Sequence, residues 1–362
     1  MRKTQCLSDK KYGIMVHYLN SIQNGKYSQT NPSYTPTSWD DCVNEFDVDA
    51  FAERVNRTGA GYVIFTLCQV SAHICAPSKV FDELTASKCV GACSKRDLPL
   101  ELGKALEKYG IDLYLYFTGD GPRGDAVASE AFETLNHTDG RVTESFVIKW
   151  SSVMRELAIR YGSLVKGWWI DGCFDYIGYN DDLLKYYKDA AIAGNPDAVI
   201  SFNNGVVRLD MNDPRVIALS GGETAMDKAI DVINEKALNG NGEARELLLQ
   251  YDTPKKYRYS IHEDYTAGEA SYFNEIPKNA TVDGSLWHVM SFLGLSYCMP
   301  LCGIVCGWAR PGSRYSAEYI KDYTKRVNSV GGVVTYDVCV DRYGFIDEGQ
   351  IAVLSQIYKE DK

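Results

Sequence analysis

Short apolar segments alternate with longer amphipathic segments along this chain, and the alternation constrains its fold more than any other feature. The apolar runs predict buried strands, and the amphipathic runs predict helices. The predicted strands are residues 12–17, 61–67, 111–117, 168–171, 198–202, 216–219, 257–262 and 332–336, and the predicted helices are residues 46–55, 96–106, 145–161, 181–192, 224–238, 316–329 and 348–358.

Strands and helices that alternate at these spacings are typical of parallel βαβ units. This many units in one chain favour an α/β fold of the closed (β/α)8 TIM-like barrel type over a doubly wound sheet. No glycine-rich phosphate fingerprint follows the first predicted strand, which argues against a Rossmann fold. We therefore expect a single barrel domain over residues 1–362, with an irregular region at residues 240–315.

The charge balance argues against two classes of partner. The chain has 38 Lys and Arg residues against 48 Asp and Glu residues, whereas nucleic acids and anionic membrane surfaces attract basic faces. No run approaches the ~20 apolar residues that span a bilayer, and the first residues lack the hydrophobic core of a signal peptide. We expect no nucleic-acid or membrane partner. The expected location is cytoplasmic, or periplasmic or secreted if a signal peptide was removed, and the oligomeric state stays open.

The cysteines invite a metal interpretation that their spacing does not favour. The chain has 11 cysteines, among them Cys89-x3-Cys93 and Cys298-x3-Cys302-x3-Cys306. Zinc knuckles are usually built on tighter Cys-x2-Cys pairs, and no nearby histidine completes either set. We therefore expect no metal site and no cofactor, and a thiol or zinc hydrolase is the weakest of the functions considered.

The stretch around Asp171 is the best candidate for a reactive site. The apolar run of residues 168–170 stops abruptly at Asp171, and Gly172 follows it. A carboxylate at the carboxyl end of a barrel strand lies on the face where barrel enzymes carry their active sites, and the glycine allows a turn or a close approach. The alternative is that Asp171 caps the next helix or pairs with a buried arginine.

Polar residues stand at the ends of most predicted strands. They are His17, Thr66, Tyr116, Asp171, Asn203, Asn204, His262, Glu263 and Asp337. Such a rim offers carboxylates, aromatic rings and hydrogen-bonding groups without a concentration of cations, which suits a carbohydrate better than a phosphate. Aromatic faces stack on sugar rings, so Trp39 and Trp287 are further candidates, although most of the 25 Tyr and 6 Trp residues serve packing.

Hydrolysis of a glycosidic bond requires two carboxyl groups, one on each side of the bond. Asp171 is one candidate. Glu223, Glu263 and Glu269 are candidates for the other, and distance along the sequence cannot choose among them.

Several short motifs occur in the same order as in a known enzyme family. The first strand, Tyr-Gly-Ile-Met-Val-His at residues 12–17, resembles Phe-Gly-Ile-Phe-Ile-His, and residues 168–172, Trp-Trp-Ile-Asp-Gly, are similar to Trp-Phe-Asp-Gly. Further similarities lie at residues 46–66, 78–79, 96–98, 332–336 and 344–346. On these motifs the chain resembles the α-L-fucosidase family of retaining glycoside hydrolases, family 29, across nearly its whole length.

The resemblance implies roles for three residues. Asp171 would be the nucleophile that forms the glycosyl-enzyme, and His17 would hold a sugar hydroxyl in the −1 pocket. The stretch Asp-Tyr-Thr-Ala-Gly-Glu at residues 264–269 is similar to the Asp-Phe-x-Thr-x-Glu stretch that often supplies the acid/base. Glu269 is therefore the preferred acid/base, ahead of Glu263 and Glu223.

The chain also departs from the family pattern. Where fucosidases carry Thr-Thr-Lys-His-His-Asp-Gly, residues 66–72 read Thr-Leu-Cys-Gln-Val-Ser-Ala, which puts Gln69 and Val70 in place of the two histidines that grip fucose. Tyr18 replaces a tryptophan, and His73 is a candidate substitute ligand. These changes leave the identity of the glycone open. The β-sandwich that usually follows the barrel has no counterpart in residues 1–362, so a truncated chain and a minimal homologue both stay open.

Together these observations predict a retaining, α-L-fucosidase-like exo-glycosidase whose substrate is an oligosaccharide or glycoconjugate. The expected substrate-binding residues are His17, Trp39, Gln69, His73, Tyr116, Asn203 and Trp287. The alternative is a carbohydrate-binding relative on the same barrel that is non-catalytic or has a different specificity, because residues 69–70 are rewritten and the acid/base is uncertain.

Overall fold

The computed structural model describes residues 3–24, 35–134, 140–250, 253–295, 297–298 and 305–358. Its strands are β1 (Tyr12–Val16), β2 (Tyr62–Thr66), β3 (Asp112–Thr118), β4 (Val165–Asp171), β5 (Val199–Phe202), β6 (Thr281–Val282), β7 (Ser285–Leu286), β8 (His288–Phe292), β9 (Tyr297–Cys298), β10 (Val305–Cys306) and β11 (Val333–Val338). Seven of them form one curled sheet in the order β5-β4-β3-β2-β1-β11-β8, and every neighbouring pair in it is parallel. The pairs β6–β7 and β9–β10 are short antiparallel ribbons.

The helices are α1 (Gln5–Lys10), α2 (Asn20–Gln23), α3 (Trp39–Asn44), α4 (Val48–Thr58), α5 (Lys79–Leu84), α6 (Leu98–Glu107), α7 (Ala126–Phe132), α8 (Glu144–Tyr161), α9 (Asp181–Ala191), α10 (Pro214–Ser220), α11 (Met226–Leu238), α12 (Gly242–Gln250), α13 (Ala317–Ser329) and α14 (Glu348–Leu354). Polar side chains cap the first turn of most of these helices. Asp47 accepts from Ala50 N before α4, and Thr143 accepts from Phe146 N before α8. Each cap satisfies a backbone donor that the helix cannot use internally.

The sheet is buried on both faces, so its strands are nearly continuous apolar runs. Successive side chains on a strand point to opposite faces. On β4, Trp168 packs outward into the core beneath the helices, whereas Trp169 packs into a separate cluster inside the curl of the sheet. Met15, Tyr114 and Met290 from other strands join Trp169 in that inner cluster. The sheet therefore encloses a packed interior, as in α/β barrels.

Segment 264–270 spans the gap between the two edge strands. Asp264 N donates to Ile200 O of β5 at 2.8 Å on one side. On the other side, Ala270 N donates to Met290 O of β8 at 2.9 Å, and Met290 N donates to Gly268 O at 2.8 Å. These bonds satisfy both edges of the sheet without a regular strand. Among the described residues, the parallel sheet thus has seven regular strands where eight were expected, and the irregular residues 264–270, the closing segment, connect its two edges.

Most predicted elements are confirmed within a few residues, but two predicted strands are wrong. Residues 216–219 belong to helix α10. Asp213 caps this helix and Pro214 occupies its first turn. Together they predict a helix more strongly than the short apolar run predicts a strand. Residues 257–262 form no strand, since side chains satisfy their backbone donors: Ile261 N donates to Asp181 Oδ1, for example.

Two features of residues 203–292 were missed. Strand β8 lies inside the region predicted to be irregular. Helices α10, α11 and α12 pack on one another around a small core of their own, which includes Val216, Ile233 and Leu247. No helix within the described ranges has the length and apolar character needed to cross a membrane.

Candidate active site

The candidate site lies at the carboxyl ends of the parallel strands. His17 and Asn203 directly follow strands, Asp171 is the last residue of one, and Tyr116 and Asp337 lie within the last three residues of theirs. All five occupy strand positions whose side chains face the inside of the curled sheet. Because parallel strands end at the same edge of a sheet, the register of β1, β3, β4, β5 and β11 brings these residues together. Glu269 reaches the same place from the closing segment.

A cavity of about 310 Å³ opens between His17, Tyr116, Asp171 and Glu269. Met15, Met290, Trp169 and Trp308 form its apolar and aromatic part. Its polar lining consists of His17, Gln69, Tyr116, Asp171 and Glu269. Apolar walls with a few convergent polar groups are typical of a small-ligand site, and the volume lies near the lower end of the usual range.

Asp171 receives three hydrogen bonds. The Tyr116 hydroxyl donates to its Oδ2 at 2.5 Å, while Gly172 N and Asn203 Nδ2 donate to its Oδ1 at 2.9 Å and 2.7 Å. Donors aimed at both oxygens replace the hydration that an ionised carboxylate loses in a pocket. Burial, and then the Asp171 charge, raise the pKa of Tyr116 well above its usual value, so its phenol keeps its proton as a donor.

Asn203 links the two candidate catalytic carboxyl groups. Its Nδ2 donates to Asp171 Oδ1 at 2.7 Å and to Glu269 Oε2 at 2.6 Å. Because one nitrogen touches both oxygens, their separation cannot exceed 5.3 Å. The Asn203 backbone is fixed in turn, since Asn203 N donates to Ile170 O at 2.7 Å and Cys173 N donates to Asn203 O at 3.0 Å.

His17 is oriented by Asp337, at the end of the neighbouring strand β11. The His17 Nδ1 atom lies 2.6 Å from Asp337 Oδ2, and Ala309 N donates to the other oxygen of Asp337 at 2.6 Å. The Trp308 ring contacts the His17 ring at a centroid distance of 5.7 Å. With Nδ1 engaged by the carboxylate, Nε2 is the ring nitrogen that His17 presents to the pocket.

Glycines allow the strand ends to approach Asp171 closely. Gly172 has a φ of +69°, and a Cβ on it would lie 2.9 Å from Asp120 Cγ. Gly119 N donates to Asp171 O at 2.6 Å, and a Cβ on Gly119 would lie 2.8 Å from that oxygen. Side chains at either position would push β3 and β4 apart. The sequence prediction that Gly172 permits a turn and a close approach is confirmed.

Asp120 brings a further carboxyl group next to the site. Burial raises its pKa to about 6, and the Asp171 charge adds to the rise, although Arg123 Nε at 2.9 Å opposes it. Asp120 was not among the candidates from sequence, because it stands in a loop after β3. Trp308 was missed because it also stands in a loop, after β10. The strand-end position of Asp337 was noted, but no role was predicted for it.

Four predicted substrate-binding residues do not line the cavity, namely Trp39, His73, Asn203 and Trp287. Trp39 is buried, and its Nε1 donates to Ile74 O at 3.0 Å. The His73 ring contacts the Trp39 ring at 6.0 Å, its Nε2 lies 3.4 Å from Asn20 Nδ2, and burial lowers its pKa. Both side chains belong to the packing behind the loop that carries Gln69.

Trp287 and the two alternative acids also lie elsewhere. Trp287 is buried and lines a separate cavity with Pro254 and Pro277. Glu263 is buried near Tyr259, outside the lining of the candidate cavity. The Glu223 carboxylate accepts from Thr224 N at 2.9 Å and from Ala225 N at 3.0 Å, as a local loop contact.

Among the described residues, no three or more His, Cys, Asp or Glu side chains are grouped so that they could hold a metal ion. Cys89 and Cys93 are free thiols. The pKa of Cys89 is raised to about 11, mainly by burial. Cys302 and the side chains of Cys298 and Cys306 lie outside the described part of the chain.

No protein-family profile matches this chain, and no curated protein matches it by sequence. Solved structures match its fold. The endo-fucoidan hydrolase P5AFcnA from glycoside hydrolase family 107 has a TM-score of 0.64 at 16% identity, covering 99% of this chain and 92% of that chain. The α-L-fucosidase AlfC from Lactobacillus casei, in complex with its α-L-fucose product, has a TM-score of 0.56 at 14% identity, covering 98% and 96%.

A second endo-fucoidan hydrolase, MfFcnA4 from family 107, has a TM-score of 0.58 at 14% identity, and this chain spans only 53% of its length. These neighbours show that the chain has the fold of fucose-acting glycoside hydrolases. They come from more than one group of such enzymes, so the similarity does not single out family 29.

Proposed function

We propose that this protein is a glycoside hydrolase, a retaining exo-glycosidase that removes a terminal α-L-fucose or a closely related sugar from an oligosaccharide or glycoconjugate. Asp171 is the nucleophile and Glu269 the acid/base. The closing segment, residues 264–270, occupies the eighth position of a (β/α)8-like barrel and delivers Glu269 to the pocket.

The separation of the two carboxyl groups carries the proposal. Retaining glycosidases hold their carboxyl groups ~5–5.5 Å apart, whereas inverting enzymes leave ~6.5–9.5 Å for a water molecule. Asn203 limits the distance between Asp171 Oδ1 and Glu269 Oε2 to 5.3 Å. That spacing favours direct attack by one carboxylate over attack by a water held between them.

The reaction then follows from the positions of the groups. Asp171, ionised and held by its three donors, attacks the anomeric carbon, while protonated Glu269 gives its proton to the leaving oxygen. The product of this step is a glycosyl ester on Asp171. Glu269, now ionised, takes a proton from an incoming water, which attacks the same carbon and releases the sugar with its original anomeric configuration.

The size and lining of the cavity favour a single sugar ring. Its volume of about 310 Å³ leaves little room beyond one glycone and the start of the leaving group. His17, with Nε2 toward the pocket, is suited to a ring hydroxyl, and the Trp169 and Trp308 faces are suited to the apolar side of a pyranose. AlfC and the family 107 enzymes, which act on fucose-containing substrates, make α-L-fucosides the first substrates to test.

The test is release of nitrophenol from α-L-fucoside, β-D-galactoside, α-L-arabinoside and α-D-galactoside by wild type and by Asp171→Asn. We expect wild type to cleave at least one of them, and the variant to lose at least about 10³-fold in kcat without a change in melting temperature. Proton NMR of the first-formed product is expected to show retention.

Full activity of Asp171→Asn, or inversion of configuration, would contradict the mechanism. Calorimetric binding of an oligosaccharide without any hydrolysis would instead support a non-catalytic carbohydrate-binding protein.

A further inference from the structure

The loop that carries Gln69 into the cavity has a strained backbone. Val70 has a φ of +58°, in the left-handed region where β-branched residues are outliers. Ser71 N donates to Gln69 O at 2.5 Å, so residues 69–71 close a γ-turn. Among γ-turns, those with a positive central φ are rare and strained.

A neighbouring loop holds this γ-turn in place. Gly124 N, from the loop after β3, donates to Val70 O at 2.9 Å. A Cβ on Gly124 would lie 3.2 Å from both Val70 Cγ1 and Val70 O, so the two loops are in close contact. The Val70 side chain is 38% exposed, which means that burial of valine does not explain why this residue adopts the conformation.

The residue that the turn directs is Gln69. It is half-buried and shares the cavity lining with Asp171 and Glu269. Its carboxamide can donate and accept hydrogen bonds in one plane, which suits a hydroxyl or a pair of adjacent hydroxyls on a sugar ring. Strained backbone that persists beside a binding site is a sign of preorganisation.

We propose that the strained γ-turn at Val70 positions Gln69 as a specificity-determining residue, which holds a hydroxyl of the glycone in the cavity. This inference rests on the proposed function, because the sugar is its ligand. If Val70 relaxed to an extended conformation, the Gln69 carboxamide would leave its place, and displacements of ~1 Å are enough to weaken catalysis strongly.

The kinetic test compares Val70→Pro, Gln69→Ala and the double variant on the aryl glycoside that wild type cleaves. Proline fixes φ at about −65°, so Val70→Pro cannot keep the turn, and kcat/KM should fall about tenfold. Val70→Gly and Val70→Asn, which tolerate positive φ, should retain most of the activity.

A double-variant comparison separates positioning from a general structural effect. If Val70 acts through Gln69, then Val70→Pro should change kcat/KM by less than twofold once Gln69 is alanine. The matched control is Ala86→Pro, which forces a negative φ on an exposed residue of φ +50° that does not line the cavity, and it should leave kcat/KM unchanged.

Equal losses from Val70→Pro in both backgrounds, or a Val70→Pro enzyme indistinguishable from Ala86→Pro, would overturn the inference. A crystal structure decides the case without turnover: positive φ at Val70 with the Gln69 carboxamide in the cavity supports the inference, and negative φ overturns it. Failure of the proposed function has a different signature, namely wild type that cleaves no glycoside of the panel.

Discussion

Glu269 and Glu263 lie on the same short stretch of chain, yet the structure gives them opposite surroundings. Glu269 lines the open cavity and receives a hydrogen bond from Asn203, which also binds Asp171. Glu263 is 2% exposed, accepts from Tyr259 N at 3.0 Å and has a pKa raised to about 8, with burial as the main cause. Both were candidate acids from sequence.

The comparison shows that a perturbed pKa by itself does not identify a catalytic acid. Glu263 has a pKa that would suit a general acid near neutral pH, but it is buried outside the lining of the cavity. A general acid must reach the atom that it protonates, so geometry is decisive before pKa. Glu269 meets the geometric condition, and Glu263 meets only the electrostatic one.

The largest expected difference between these two residues is in turnover. Glu269→Gln should lower kcat/KM by about 10²- to 10⁴-fold, because the leaving oxygen loses its proton donor. The loss should shrink for a dinitrophenyl glycoside, whose leaving group needs little protonation. Steady-state kinetics on both substrates measure it.

Glu263→Gln is the matched control for that experiment. At pH 6 the Glu263 carboxyl is protonated, given its pKa of about 8, so glutamine is a neutral replacement of similar shape. Its kcat/KM should stay within about twofold of wild type. Loss of turnover in this variant, with an active Glu269→Gln enzyme, would reverse the two assignments.

A smaller loss of kcat/KM is expected when one of the hydrogen-bond donors to Asp171 is removed. Tyr116→Phe deletes the hydroxyl that lies 2.5 Å from Asp171 Oδ2 and keeps the ring that stacks on Trp169 at 5.4 Å. Hydrogen bonds to charged groups contribute about 1.5–3 kcal/mol, so kcat/KM should fall by about 10- to 100-fold. Rates equal to wild type would show that this hydrogen bond does not support the nucleophile.

The last expected effect concerns stability rather than turnover. The pKa of Glu263 rises from 4.5 to about 8 in the folded protein, so the folded state binds more protons than the unfolded state between these pH values. Wild type should therefore be most stable, relative to Glu263→Gln, below pH 4.5. This advantage should shrink by up to about 1.4 kcal/mol per pH unit as the pH rises to 8.

Urea unfolding of both proteins at pH 5, 6.5 and 8 measures this difference. Free energies of unfolding that change in parallel would mean that Glu263 is not held in its neutral form.

Local signals sufficed for much of the fold. Caps, apolar periodicity and glycine positions indicated seven of the fourteen helices in the described residues and six of the seven strands in the sheet, and they placed Asp171 at a strand end before Gly172. They failed where two local signals competed. At residues 216–219 an apolar run suggested a strand, but Asp213 and Pro214 start a helix there.

The sequence alone determined which strand ends carry reactive side chains, because side-chain alternation and turn residues are local properties. The sequence could not show that Asn203 joins Asp171 to Glu269, that Glu263 is buried, or that Trp39 and Trp287 lie outside the cavity. Those contacts join residues far apart in the chain. They depend on the register of parallel strands and the path of the closing segment, and only the folded structure brings these to one place.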